Sequence, residues 1–317
     1  MTTQASQESQ SARSVLMIRP ARFGANPDTA ATNAFQARTL EESLAAIRMR
    51  VAREFDALAT ALSDAGVEVC AVDDTAEPEK PDAIFPNNWV SFHADGTVVL
   101  YPMLASNRRT ERRLEVLEQL VARHHFRVGR TIDLSEHEMT GGYLEGTGSL
   151  VLDRVNRLAF ASLSPRTHLD PIGDFAQRLD YEVVSFEAFD GAGIPPYHTN
   201  VLLCVGAHFA VLCASAIADD ARRGAVARIL ENTGRELIEI TPRQMSAFAG
   251  NMLELENRAG DKIIVMSATA QQSLDGAQRT GVERYGKIVA VPIPTIEKYG
   301  GGSVRCMLAE IHLAHRS

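Results

Sequence analysis

The sequence predicts an α/β protein built from five repeats of strand–strand–helix–strand that close into a ring. Three observations predict it. Polar residues recur at one point of a repeating pattern, at Asn88, Glu145, His198, Asn251 and Cys306, in steps of 57, 53, 53 and 55 residues. A β-branched strand follows each stretch of helical periodicity. The first strand-like run, SVLMIRP, and the last, CMLAEIHLA, each lack a sequential partner. Pairing them closes the ring and leaves no open sheet edge between repeats.

Helical periodicity marks residues 39–66, 108–125, 169–179, 219–234 and 274–286. Several of these stretches start on polar residues and end on glycine, as capping requires. The strands that follow are VEVCAV, FRVGRTI, YEVVSF, RELIEI and KIVAVP. A polar loop comes next, and then two strands joined by a short turn. These hairpins are WVSFHADGTVVLYP, SLVLDRVNRLAFAS, VLLCVGAHFAVLCA and MLELENRAGDKIIVMS, with Asp-Gly and Gly-Asp among the reversals. The fifth hairpin is split between the two ends of the chain. A single domain is therefore expected over 14–317. Residues 1–13, polar and without the apolar stretch of a signal peptide, are expected to be a flexible tail. The segment ARFGANPDTAATNAFQA (21–37) is long for a loop. Loops of that length either cover a site or run over the surface without a role.

Composition narrows the function. Hydrophobic residues make up 45% and charged residues 23%, ordinary for a soluble globular chain. The net charge of −8 and the absence of a basic stripe argue against nucleic acid or an anionic membrane as partner. No apolar run reaches the roughly 18–20 residues that span a bilayer, and a cytoplasmic location is expected. The four cysteines form no CxxC pair and have no histidines at zinc spacing. Cys70, Cys204 and Cys213 lie in apolar runs and are expected to be reduced core residues.

The fourth cysteine is different. Cys306 follows GGGSVR and opens the last strand; no Gly-Lys-Ser/Thr follows the glycines, so this is not a phosphate loop. Arg305 beside it could favour a thiolate. His198 lies in IPPYHTNVLL and Glu145 in TGGYLEGTGS. Taken singly, these are a strand cysteine, a surface histidine and a turn glutamate. Their shared slot in the repeat gives them weight, because ring closure brings thiol, imidazole and carboxylate together. That set is a nucleophile with its acid/base partners. Asn88 and Asn251, in the same slot, become candidate binding residues.

GGGSVRCM is similar to the active-site cysteine segment of arginine deiminases. DAIFPNNWVSF, VVLYPMLASNRRTER and LEGTGSLVLDRVNRLAFASLSPRTH follow, in order, the core segments of dimethylarginine dimethylaminohydrolase. From about residue 14 to 315 the chain resembles the pentein, or guanidino-group-modifying, superfamily. FPNN, ASNRRTER, YHTN and GGGSVRCM together resemble the bacterial citrulline-utilisation hydrolases most. The resemblance implies a five-bladed α/β propeller about a pseudo-fivefold axis. It also implies Cys306 as nucleophile, His198 as general acid/base and Glu145 as the carboxylate that binds the reacting group. Asp82, Asn87 and Asn88 fall on the first ligand loop. Arg108, with Arg109 as its alternative, and Arg166 match the arginines that hold a substrate α-carboxylate, which suits the planar guanidinium fork. It implies a small-molecule amino-acid substrate and neither metal nor organic cofactor, and leaves a homodimer open.

The chain departs from the guanidine-processing pattern in two places. PNN stands where relatives carry an acidic VED-like run, and Asn200 stands where arginine deiminases carry an aspartate. A guanidinium is cationic and only donates hydrogen bonds. A ureido group is neutral and also accepts through its carbonyl. Asparagine offers both a donor and an acceptor, and a mispaired buried polar group costs roughly 1–3 kcal/mol. The expected reaction is therefore citrulline plus water giving ornithine, carbon dioxide and ammonia through a covalent Cys306 intermediate, with either nitrogen able to leave first. A guanidine hydrolase acting on arginine or methylated arginine is the first alternative. A non-catalytic binding scaffold is the second.

Overall fold

The computed structural model describes residues 8–316 other than Arg38 and Leu40. Residues 1–7 of the expected tail lie outside the described residues. Fifteen strands form five three-stranded sheets among the described residues. They are β1 (Ser14–Arg19), β2 (Glu68–Asp73), β3 (Val90–Phe92), β4 (Thr97–Leu100), β5 (Arg130–Asp133), β6 (Val151–Asp153), β7 (Leu158–Ser162), β8 (Glu182–Phe186), β9 (Leu203–Val205), β10 (Phe209–Leu212), β11 (Glu236–Glu239), β12 (Leu253–Glu256), β13 (Lys262–Ser267), β14 (Lys287–Val291) and β15 (Ala309–Ile311). The sheet orders are β15–β1–β2, β3–β4–β5, β6–β7–β8, β9–β10–β11 and β12–β13–β14.

All five sheets are wired alike. The middle strand runs antiparallel to one neighbour and parallel to the other. The antiparallel step needs only a tight turn, whereas the parallel step needs a crossover, which each helix supplies. Middle strands such as FAVL and LAFAS are buried at every position because they are covered on both faces. The expected pairing of the two chain ends is present: Ser14 faces Ile311 and Leu16 faces Ala309.

The helix Leu44–Asp64 buries Ile47, Val51, Phe55, Leu58 and Leu62, a stripe at helical spacing, and Ser43 caps it by accepting from the Ala46 N–H. Leu169–Leu179, Asp220–Asn232 and Gly276–Glu283 fall within the expected stretches. The stretch 108–125 does not form one helix. Ser106–Glu111 is a separate 3₁₀ turn and the helix is Leu114–Arg123. The break comes from side chains: Arg108 turns inward onto Glu111, and Arg109 Nε donates to Met103 O at 3.1 Å.

Residues 8–13, expected to belong to a flexible tail, are instead packed. Glu8 accepts from Arg154 Nη1 at 2.7 Å and Arg157 Nη1 at 3.0 Å. Gln10 donates to Leu152 O at 2.9 Å and Val205 O at 3.0 Å, and accepts from Arg154 N at 2.9 Å. Ser11 bonds Glu254, and Ala12 O accepts from Glu256 N at 2.9 Å. The segment thus ties three sheets together by meeting backbone groups that would otherwise be buried without partners. Its polarity serves those groups rather than water. No helix among the described residues is long and apolar enough to cross a membrane.

Gln10→Ala removes the partner of three buried backbone groups. It is expected to lower the unfolding free energy by about 1–3 kcal/mol, read as a lower urea midpoint at unchanged slope. An unshifted midpoint would show that the segment is not packed in solution.

Candidate active site

Asn88 and Cys306 sit in the short turns Pro86–Asn88 and Val304–Met307, and Glu145 and His198 immediately precede the short turns Gly146–Ser149 and Thr199–Val201. Together with the bend at Phe248–Asn251, each turn leads into the first strand of a sheet. The loops therefore lie at the same end of the strands. Two glycines let them meet. Gly146 has φ +49°, and a Cβ there would sit 2.2 Å from Asn87 O. A Cβ on Gly148 would lie 2.6 Å from Asn88 Nδ2 and 2.7 Å from His198 Nδ1. Neither position has room for a side chain.

Glu145 is fully buried at the centre of this meeting point. Its Oε2 accepts from His198 Nε2 at 2.8 Å and lies 3.4 Å from Arg166 Nη1 and 3.6 Å from Arg108 Nη1; its Oε1 accepts from Leu104 N at 3.2 Å. Burial alone would raise its pKa. Arg166, the His198 bond and Arg108 together outweigh burial and hold the carboxyl well below the usual carboxylate range. His198 is shifted as well. Burial draws its pKa down from 6.5 to about 4, and the Glu145 bond opposes this only in part. The ring is therefore neutral at neutral pH. A carboxylate only accepts, so Nε2 carries the proton. Nδ1, buried and without a hydrogen-bond partner among the described residues, holds the basic lone pair.

Cys306 lies against two amides. Asn251 Nδ2 is 3.3 Å from the sulfur and Asn200 Nδ2 is 3.7 Å away. Asn251 is fixed in turn: its Oδ1 accepts from Arg305 N and its Nδ2 donates to Asn200 O, both at 3.0 Å. Among the described residues no carboxylate bonds this sulfur. Cys306 and His198 line one narrow cavity with Asn33, Asp82, Phe85, Asn88, Arg108, Arg166, Tyr197 and Gly300–Gly302. Arg305 does not serve the thiol as expected. Its guanidinium is committed to Glu310 at 2.7 Å and Leu308 O at 2.8 Å, so its charge is spent on that pair.

The other expected residues are placed as follows. Asp82 Oδ2 accepts from Asn26 Nδ2 at 2.7 Å and faces Arg108 Nε at 3.7 Å, while its Oδ1 is buried without a partner. Asn88 accepts from Arg108 Nη1 at 3.0 Å and donates to Asn87 Oδ1 at 2.9 Å. Asn87 is buried behind Asn88 and does not line the cavity. Arg108, not Arg109, enters the cavity; Arg109 turns to Glu138 at 3.2 Å with its side chain a third exposed. Arg166 donates to Thr32 Oγ1 at 2.9 Å and Thr29 O at 3.3 Å, and its guanidinium lies 5.2 Å from the Tyr197 ring centre.

Two contributors escaped the sequence reading. Glu111 grips Arg108 through two bonds of 2.9 Å; burial raises its pKa to about 7 against the opposing pull of Arg108. Its spacing of three residues from Arg108 was the available signal. Tyr197 packs 4.7 Å from the His198 ring centre and donates to Gly301 O at 2.6 Å. The segment 21–37 covers the cavity rather than running free over the surface: Asn26, Thr29 and Thr32 bond Asp82 and Arg166, and Asn33 donates to Gly300 O at 3.3 Å.

Repeated three-stranded sheets, with cysteine, histidine and carboxylate gathered at one end, define a pentein-type, guanidino-group-modifying architecture. The family model described as N,N dimethylarginine dimethylhydrolase, eukaryotic, matches residues 19–313, and the chain belongs to this family. The fold is similar to the N-terminal domain of ArgZ, an arginine dihydrolase from the ornithine-ammonia cycle in cyanobacteria, in a mutant form bound to substrate (TM-score 0.72, 19% identity, 94% of this chain and 97% of that one). It is also similar to AgrE in ternary complex with ornithine and NAD+ (TM-score 0.73, 20% identity), where the match covers 96% of this chain but 40% of the other. A third likeness is to a dimethylarginine dimethylaminohydrolase from Pseudomonas aeruginosa, in a mutant form complexed with citrulline (TM-score 0.65, 16% identity, 95% of this chain and 100% of that one). No curated protein sequence matches the chain.

Because the folded pKa of His198 lies below the unfolded value, the unfolded state binds the extra proton more readily. The stability this histidine contributes is present above about pH 6.5 and is lost as the pH falls toward about 4. His198→Gln is expected to flatten the fall of the urea midpoint across that window. An equally steep fall in the variant would show that His198 is not held neutral.

Proposed function

We propose that the protein is a cysteine-dependent hydrolase of a ureido amino acid, converting L-citrulline and water to L-ornithine, carbon dioxide and ammonia. One observation carries this reading. The groups bonded around Cys306 Sγ are the uncharged amides of Asn200 and Asn251, while the carboxylates of Asp82 and Glu145 already face Arg108 and Arg166. A guanidinium would bring a positive charge to a thiol without a free counter-charge beside it, and burying such a charge costs several kcal/mol. A ureido group brings none. Its carbonyl oxygen can accept from the amides, and its N–H groups can donate to their oxygens. The sheets are taken as five blades around a pseudo-fivefold axis, with Asn88, Glu145, His198, Asn251 and Cys306 at its mouth.

In the proposed reaction, Cys306 attacks the ureido carbon and the amide donors stabilise the developing oxyanion. His198, oriented by Glu145, carries the thiol proton to the departing nitrogen. Loss of ornithine leaves a carbamoyl group on the sulfur. His198 Nδ1 then takes a proton from water, which attacks that carbon and returns the free thiol. The released carbamate breaks down to carbon dioxide and ammonia. Arg108 and Arg166 hold the substrate α-carboxylate. A second reading, a guanidine hydrolase acting on arginine or a methylated arginine, is favoured by the unpartnered Asp82 Oδ1 and by the family model.

Incubation with citrulline, arginine and methylated arginines, with products identified by mass spectrometry, separates the two. Ornithine from citrulline is expected; an inert citrulline with turnover of a guanidine would overturn the choice. Asn200→Asp is expected to lower kcat/KM for citrulline by about tenfold or more, from one mispaired polar contact, and to improve binding of guanidino amino acids. Unchanged citrulline kinetics would remove the amide argument. Cys306→Ala is expected to abolish all turnover, and residual full activity would leave the protein a scaffold with its chemistry elsewhere.

A further inference from the structure

We propose that Glu68, Cys70, His124 and His315 form a binding site for a thiophilic divalent cation of the zinc type. The site uses none of the residues of the active cavity. It lies on β2, the edge strand of the sheet β15–β1–β2.

Three chain segments build it. Glu68 and Cys70 are alternate residues of one strand and so share a face. His124 caps the C-terminal end of the helix Leu114–Arg123. His315 comes from the C-terminal segment, which bridges to Phe126 beside His124. A carboxylate oxygen of Glu68, Cys70 Sγ and a ring nitrogen of His124 all lie within 4.8 Å of one another. Zinc takes sulfur at about 2.3 Å and nitrogen or oxygen at about 2.0–2.2 Å, so tetrahedral ligand atoms stand roughly 3.5 Å apart. A contraction of about 1 Å would therefore seat the ion on these three, and His315, which lies outside that set against the other carboxylate oxygen, would swing in as the fourth ligand.

His315 supplies the independent indication. Its Nδ1 lies 3.0 Å from the His124 backbone oxygen, which can only accept, so Nδ1 carries a proton. Nε2 then faces Glu68 Oε2 at 3.3 Å. In that tautomer Nε2 turns its lone pair toward the same carboxylate that lies beside Cys70 and His124. Fixing one ring nitrogen on a backbone carbonyl is how proteins orient a metal-binding imidazole. Ser14 Oγ, donating to Glu68 Oε2 at 2.7 Å, orients the carboxylate in the same way.

The charges balance. On binding, the Cys70 thiol releases its proton to water, and thiolate plus carboxylate neutralise the 2+ ion beside two neutral imidazoles. A sulfur and nitrogen set suits zinc and excludes magnesium, which wants oxygens in an octahedron. Glu68 and His124 keep 26% of their side-chain surface exposed and His315 keeps 52%, which leaves a path in from solvent. Bound metal would pin the C-terminal segment to β2. The ligands are 54 and 191 residues apart along the chain, from Cys70 to His124 and from His124 to His315, so no local spacing reveals them.

The test is calorimetric titration of the untagged full chain with zinc, with Cys306→Ser, Cys70→Ser and His315→Gln in parallel. One zinc per chain is expected in the wild type and in Cys306→Ser, with affinity reduced about tenfold or more in the other two. Zinc should raise the unfolding midpoint, and magnesium should not. Cobalt(II) should give a thiolate charge-transfer absorption that Cys70→Ser alone removes. Binding that vanishes in Cys306→Ser but survives Cys70→Ser and His315→Gln would move the metal to the catalytic thiol and overturn the proposal. Absence of stoichiometric binding, with His315→Gln merely less stable, would leave His315 a structural partner of Glu68 and overturn it equally. If Cys70→Ser fails to fold, the exposed His315→Gln variant decides.

Discussion

The antiparallel pairing of Ser14–Leu16 with Ala309–Ile311 is the contact on which the site depends. Cys306 stands three residues before that last strand. Without the pairing, the sulfur would ride on an unanchored end of the chain. With it, the thiol is held against Asn200 and Asn251 from two other sheets. Closing so long a loop is less costly than its length suggests, because closure entropy grows only logarithmically. Val15, Leu16, Leu308 and Ala309 are buried almost completely at the join, so apolar burial works in its favour.

Inside this frame the site is a small buried network of charges. Glu145, Glu111 and Asp82 face Arg108 and Arg166, all within a few per cent of full burial. Networks of this kind are a poor way to gain stability, since desolvation consumes most of the attraction. Their effect here is on protonation and geometry. The arginines keep Glu145 ionised, Glu145 fixes the tautomer of His198, and burial keeps the ring neutral. One nitrogen is thereby committed to the carboxylate and the other keeps its lone pair free of any partner among the described residues. In the proposed reaction that nitrogen works as the base, and the amides at Cys306 read the reacting end of the ligand.

Much of this was legible in the sequence, and the limits are instructive. Strands and hairpins could be read because a buried middle strand must be apolar throughout. The shared slot of Asn88, Glu145, His198, Asn251 and Cys306 could be read because repetition fixes register. What escaped depended on contacts between distant segments. Residues 8–12 look like solvated tail because Glu8, Gln10 and Ser11 are polar, yet each meets a buried partner on another sheet. The helix expected from residue 108 gives way to a turn because Arg108 prefers a buried carboxylate to solvent. Cys70 reads as a core cysteine by its apolar neighbours, and only the fold reveals the imidazole and carboxylate beside it.

The most direct test of the central claim is the mass of the protein quenched during turnover. With citrulline present, a carbamoyl-sized adduct is expected on the peptide that contains Cys306, absent in Cys306→Ala and strongly reduced in His198→Ala, where the departing nitrogen is no longer protonated. An adduct on Cys70, Cys204 or Cys213 instead, or turnover of citrulline with Cys306 unmodified and dispensable, would contradict the account.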